Sequence, residues 1–168
     1  MAKPKDSASS FKKRWAAKER ALGFENIAAK LVACGDADLP NEAAPCLSFK
    51  DAELMPAIWE VFGPADPWTA KDKNRLEKYR IIGADGAGNP MCVETGSGEI
   101  WLLDHEDQFR TTQFVNSGIS QLAECLLAYM GEKDPATFLA AIKELDPPAV
   151  RKGSFWFQEA VSIGEETD

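Results

Sequence analysis

From Lys78 to Asp104 the chain alternates short apolar runs with glycine-rich turns, and that alternation commits the stretch to antiparallel hairpins. Lys78 to Ala84 is rich in β-formers, Asp85-Gly86-Ala87-Gly88-Asn89-Pro90 is a turn, and Met91 to Glu94 is a second strand. Thr95-Gly96-Ser97-Gly98 is the next turn, Glu99 to Asp104 a third strand, and Thr111 to Val115 a fourth. In the third strand Trp101 and Leu103 alternate with Ile100 and Leu102, so both faces are apolar and both are covered. That assigns Trp101 to the core rather than to a site. Asn116 or Ser117 then caps a helix whose Ile119, Leu122, Ala123, Leu126, Leu127 and Met130 form one core-facing stripe.

The flanks read as mostly helical. Met1 to Ser9 is a flexible basic lead, residues 10–163 form a single domain, and residues 164–168 are a loose acidic tail. Ser10 caps a helix to Leu22 with Phe11, Trp15 and Leu22 on one side, and Gly23 stops it. A second helix spans about Asn26 to Cys34, and Asp36 to Pro45 is a loop. Cys46 to Phe49 is a short strand. Asp51 to Phe62 is a helix whose true start is displaced toward Pro56, and Ala65 to Leu76 is a polar connection containing Trp68. Asp134 caps a helix with Pro135 in its first turn, Asp146-Pro147-Pro148 ends it, and Ser154 to Ile163 is the last helix. The fold expected is α+β: a central, mainly antiparallel sheet of about four to six strands between N-terminal and C-terminal helices.

Charge narrows the partner. The net charge is −8, yet residues 1–30 hold eight Lys/Arg and three Asp/Glu, or +5, which leaves −13 on the remainder. Phosphates repel such a body, so nucleic acid is not the expected partner. On charge alone two readings stand: a basic protein partner, drawn by long-range attraction, and an acidic surface that serves solubility only. Lys12-Lys13-Arg14 with Lys18 and Arg20 reads as a solvated helix face. No apolar run is long enough to span a membrane, and the N-terminal stretch lacks the apolar segment of a signal peptide, which points to the cytoplasm. The four cysteines (Cys34, Cys46, Cys92, Cys125) contain no CxxC pair, so buried free thiols are expected rather than zinc.

Candidate chemistry is thin. His105 is the sole histidine, so a nucleophile–histidine system would have to use it. Its neighbours Asp104, Glu106 and Asp107 are successive residues at a strand end, which do not converge on one cation; a polar turn with Asp104 bonding local amides is the simpler account. The Gly86/Gly88 loop lacks the GK[ST] ending of a phosphate loop and leads into a strand, with no helix dipole behind it. Asp85, Asn89 and Glu94 do not have the spacing of a calcium loop. No catalytic residue, cofactor or metal is expected.

The segment Tyr79-Arg80-Ile81-Ile82-Gly83-Ala84-Asp85-Gly86-Ala87-Gly88-Asn89-Pro90 resembles the central signature of the SUKH superfamily. The resemblance continues through Thr95-Gly96-Ser97-Gly98-Glu99-Ile100-Trp101-Leu102-Leu103-Asp104-His105, then Phe114-Val115-Asn116-Ser117 and the helix to Tyr129. The chain most resembles the fourth subfamily of bacterial SUKH immunity proteins, whose ending is similar to the Phe155-Trp156 helix. The resemblance implies an immunity protein that binds and neutralises a cognate toxin domain, a nuclease or deaminase of a contact-dependent polymorphic toxin system. It supplies no catalytic residues to transfer. The competing readings are a small metal-dependent hydrolase built on His105 and its adjacent carboxylates, and a regulatory protein-binding scaffold. Loops held on a rigid scaffold carry most binding residues, so Trp68, Asp85, Asn89, Glu94, Asp104 and Glu106 are the expected partner contacts. The oligomeric state is left open.

Overall fold

A computed structural model describes residues 5–23, 31–35, 37–63 and 67–166. Six antiparallel strands run in sequence order: β3 (Glu42–Ala43), β4 (Leu47–Ser48), β5 (Tyr79–Ala84), β6 (Pro90–Glu94), β7 (Ile100–Leu103) and β8 (Thr112–Asn116). A separate hairpin pairs β1 (Leu31–Cys34) with β2 (Ala37–Pro40). The helices are α1 (Lys5–Ala21), α2 (Ile58–Val61), α3 (Ala70–Leu76), α4 (Ile119–Tyr129), α5 (Pro135–Leu145) and α6 (Phe155–Glu166), with a 3-10 turn at Pro147–Val150. This is the expected α+β arrangement, and the β5–β8 meander falls where the glycine turns placed it.

Two apolar layers cover the sheet. On one face Ile82, Met91, Ile100, Leu102 and Val115 pack against α1, α4, α5 and α6, with Trp156 and Phe138 among the largest fully buried side chains. On the other, Tyr79, Ile81, Cys92 and Leu103 meet Ile58 of α2, Leu76 of α3 and Phe109, with Trp59, Phe62, Trp68 and Trp101 packed around them. Trp101 is therefore part of a covered face. Its indole nitrogen is buried and has no hydrogen-bond partner among the described residues, and its ring meets Phe114 edge-on at 5.3 Å.

Two bulges shape the sheet. Ile81 pairs with Cys92 and Gly83 with Met91, so Ile82 is the extra residue in β5. Gly83 then lies so close to β4 that an added Cβ would sit 2.1 Å from the Ser48 carbonyl oxygen. In β8, Trp101 pairs with Phe114 and Ile100 with Asn116, which makes Val115 the extra residue. That extra residue puts Asn116 on the same face as Ile100, the helix-covered one, where it is fully buried.

Several flanking elements differ from expectation, each for a local reason. The helix expected over Asn26 to Cys34 is a strand at Leu31–Cys34; residues 26–30 lie outside the described residues. Backbone pairing with β2 outweighs the helical spacing of Leu31 with its upstream neighbours. The Asp36 to Pro45 loop contains β2 and β3. The Asp51 to Phe62 helix shrinks to Ile58–Val61: Pro56 excludes a helical conformation before it, Met55 adopts φ 43°, and Ala57 bridges to Arg80. The connection around Trp68 contains α3, capped by Thr69, whose Oγ1 accepts the Asp72 amide at 3.1 Å. α1 starts at Lys5, ahead of Ser10, and α6 continues to Glu166, past Ile163. The cap at Asp134 is as expected, its carboxylate accepting the Thr137 amide at 2.8 Å.

Candidate functional site

The β5–β6 turn and the β7–β8 loop share one end of the sheet, and side chains tie them together. Asp85 Oδ1 accepts the Ala87 and Asn89 amides at 3.0 and 2.8 Å, and its Oδ2 accepts Asn89 Nδ2 at 3.1 Å. Asn89 Oδ1 in turn accepts the His105 amide at 3.1 Å and lies 2.8 Å from the ring Nδ1. Asp104 Oδ1 accepts the Glu106 amide at 2.9 Å, the local turn that its sequence setting predicts. Asp107 accepts the Arg110 and Thr111 amides, both at 2.9 Å. Hydrogen bonding from Thr111 leads the effects that hold the Asp107 carboxyl below the usual range.

The expected contacts therefore divide. Asp85, Asn89, Asp104 and Glu106 come together at this end, with the Glu106 side chain exposed. Glu94 lies at the opposite end of β6, where it pairs with Lys78 at 3.0 Å and meets Ser97 Oγ at 3.3 Å. Trp68 belongs to neither group. It is half-buried in the second apolar layer, stacks on Phe109 at 6.0 Å, and donates its indole N–H to the Phe62 carbonyl at 2.9 Å.

His105 and its acids do not face a common point. The His105 ring lies against Phe62 at 6.3 Å and is engaged by Asn89, while Asp104 turns onto its own loop. Among the described residues no group of three or more His, Cys, Asp and Glu could hold a metal ion. Cys34, Cys92 and Cys125 are buried thiols; burial pushes Cys34 up to about 11 and Cys125 up to about 12. Cys46 is exposed.

The acidic character of this end extends onto α6. Burial, then the charges of Glu166 and Asp85, holds the Glu159 carboxyl above the usual carboxylate range, against a hydrogen bond from Tyr129 that lowers it. Burial, followed by Glu159, pushes Tyr129 up to about 12, and Cys46 is near enough to contribute. Sequence reasoning did not bring Glu159, Tyr129 or Cys46 to this place, because the three sit on α6, on the end of α4 and just before β4.

Two residues expected to cap α4 have another role. α4 begins after Gly118 without a side-chain cap. Asn116 instead donates Nδ2 to Asp146 Oδ2 at 2.9 Å and accepts Trp156 Nε1 on Oδ1 at 2.9 Å. Ser117 gives Asp146 its amide at 2.8 Å and its hydroxyl at 2.6 Å. Asp146 is 2% exposed, so these donors stand in for the water it has lost.

A family model described as "SUKH-4 immunity protein" matches residues 14–162. No curated protein and no solved structure matches the chain.

Proposed function

The chain belongs to the SUKH-4 immunity protein family, and from that premise we propose that it binds a cognate toxin domain, a basic nuclease or deaminase, in the cytoplasm and neutralises it by covering its working surface rather than by catalysis. The observation that carries the reading is the acidic loop end of the sheet. Asp85, Asp104, Glu106 and Asp107 lie on two loops tied to each other through Asn89 and His105, with Glu159 near Asp85 on α6. Loops fixed in this way lose little conformational entropy on binding, and a fixed negative potential attracts a basic groove and accelerates encounter. The hydrolase alternative needs His105 and its acids to converge, and the described side chains are engaged in different directions.

The test is calorimetric titration of the toxin domain encoded by the neighbouring gene into this protein, alongside an assay of toxin activity. The expected result is a stoichiometric complex, loss of toxin activity, and an on-rate that falls steeply with salt. Absence of binding heat together with unimpaired toxin would refute the reading.

A further inference from the structure

The six-stranded sheet ends on β3 and β8, and the two differ as edges. β3 is two residues long. β8 is Thr112-Gln113-Phe114-Val115-Asn116 and holds no Pro and no charged residue, the usual guards of a sheet edge. Its register fixes which backbone groups face outward. Asp104 donates its amide to the Thr111 carbonyl at 3.0 Å, and the pairing continues as Leu103 with Thr112, Leu102 with Gln113 and Trp101 with Phe114. Hydrogen-bonded and non-hydrogen-bonded pairs alternate along an antiparallel ladder. Thr111 and Gln113 therefore bond to β7, while the amides and carbonyls of Thr112 and Phe114 point away from it. Among the described residues nothing hydrogen-bonds to these four groups. Past Phe114 the edge closes, with the bulge at Val115 and the Ser117 amide on Asp146.

We propose that the Thr112–Phe114 edge of β8 takes an extended segment of the toxin domain as a seventh strand. The inference rests on the toxin-binding reading and names one part of that contact. Two amides and two carbonyls set two residues apart match the repeat of another extended backbone, which is how strand addition gains its affinity. Side chains of the segment alternate between two surroundings. On one face they meet the half-buried Phe114, itself edge-on to Trp101, which suits an apolar residue. On the helix-covered face they meet Gln113 at the border of a cleft of about 310 Å³. Asp104 is the one charged residue among the described ones that line it; Arg151 and Lys152 are exposed beyond Gly153 and do not line it. β8 also follows directly on the loop that carries Glu106 and Asp107, where Arg110 is bonded to Gln108 Oε1. Charge therefore selects the source of the strand. A second copy of this chain would bring a net charge of −8 to that acidic loop end, whereas a basic toxin brings the opposite sign.

Thr112→Pro supplies the test. The outward Thr112 amide takes no part in pairing with β7, and Pro is tolerated on an edge strand where the amide faces solvent. The substitution removes one outward donor and crowds a neighbouring strand. With an unchanged melting curve, the full chain carrying it is expected to bind the toxin domain encoded by the neighbouring gene about thirtyfold more weakly by calorimetry. In the unsubstituted protein, amide exchange at Thr112 and Phe114, followed by NMR, is expected to slow about a hundredfold on complex formation. That second measurement decides the matter if Thr112→Pro does not fold. Exchange at both amides unaltered in the complex, or folded Thr112→Pro protein with full affinity, would overturn the added strand and leave the toxin-binding reading standing. Slowing already present in the free protein and rising with its concentration would assign the edge to a second copy and overturn the proposal. No complex under any condition would remove both.

Discussion

Replacing Asn116 with Ala separates a helix cap from a buried clamp. As a cap, Asn116 would be worth about 1 kcal/mol. The structure makes it the hub between β8, α5 and α6: fully buried, donating to the Asp146 carboxylate and accepting from Trp156 Nε1, each at 2.9 Å. Truncation leaves the buried indole N–H unmade, at about 1–3 kcal/mol, and removes one donor from a buried carboxylate, at about 1.5–3 kcal/mol. A connected network does not lose these amounts independently, so about 4 kcal/mol is expected in total. For a chain of this length that lowers Tm by about 10 °C, against about 3 °C for a lost cap. Urea unfolding followed by far-UV circular dichroism, with the m-value unchanged, measures the difference. A loss near 1 kcal/mol would refute the clamp. So would strict additivity of Asn116→Ala and Asp146→Ala in a double-mutant cycle.

Trp68→Ala should cost stability, lowering Tm by about 5 °C, because the ring is packed on Phe109 and its N–H is bonded to Phe62; a large fall in toxin affinity with an unchanged melting curve would return Trp68 to the interface. Gly83→Ala should destabilise by about 3 kcal/mol or more, since the atom in its way is the Ser48 backbone oxygen, which cannot rotate aside; a wild-type urea midpoint would show that β4 is not held against β5 as described. Glu159 has a raised folded pKa, so the folded state holds its proton more tightly than the unfolded chain and stability falls as pH rises from the ordinary glutamate range through that raised value. Glu159→Gln should therefore raise Tm at neutral pH and flatten Tm between about pH 4 and 7, as melts across that range would show; an unaltered pH slope would rule out Glu159 as its source.

Legibility in the sequence tracked how local the determinants are. Gly86, Gly88, Gly96 and Gly98 mark β5 to β7 because turn geometry depends on the turn residues themselves. The α4 stripe and the Asp134 cap are equally local. β1 looks helical in sequence because Leu31 and Val32 continue a helical spacing, whereas the strand is set by its pairing with β2; the Gly35-Asp36 pair is the hairpin signal in the sequence. Asn116 looks like a cap in sequence because of its Asn-Ser setting, and the bulge at Val115 that turns it inward is a property of pairing with β7. At the candidate site, Asp104's turn was readable, but Trp68's packing against Phe109 was not, since it crosses a long sequence separation. Glu19 carried a signal that went unused: it continues Phe11 and Trp15 at four-residue steps, which places a carboxylate on the buried stripe of α1.

The sheet order, β3 to β8 without a crossover, has a kinetic consequence. Each strand pairs with the one made just before it, so the sheet can zip up in the order of synthesis, with short loops to close at each step except from β4 to β5, where the connection runs through α2 and α3. The N-terminal helix behaves differently. Arg14 pairs with Glu124 and Lys18 with the Leu127 carbonyl, more than a hundred residues away, so α1 reaches its seat only after α4 has emerged. A helix made before the sheet is thus among the last elements to dock, and its arrival buries Trp15 and Glu19.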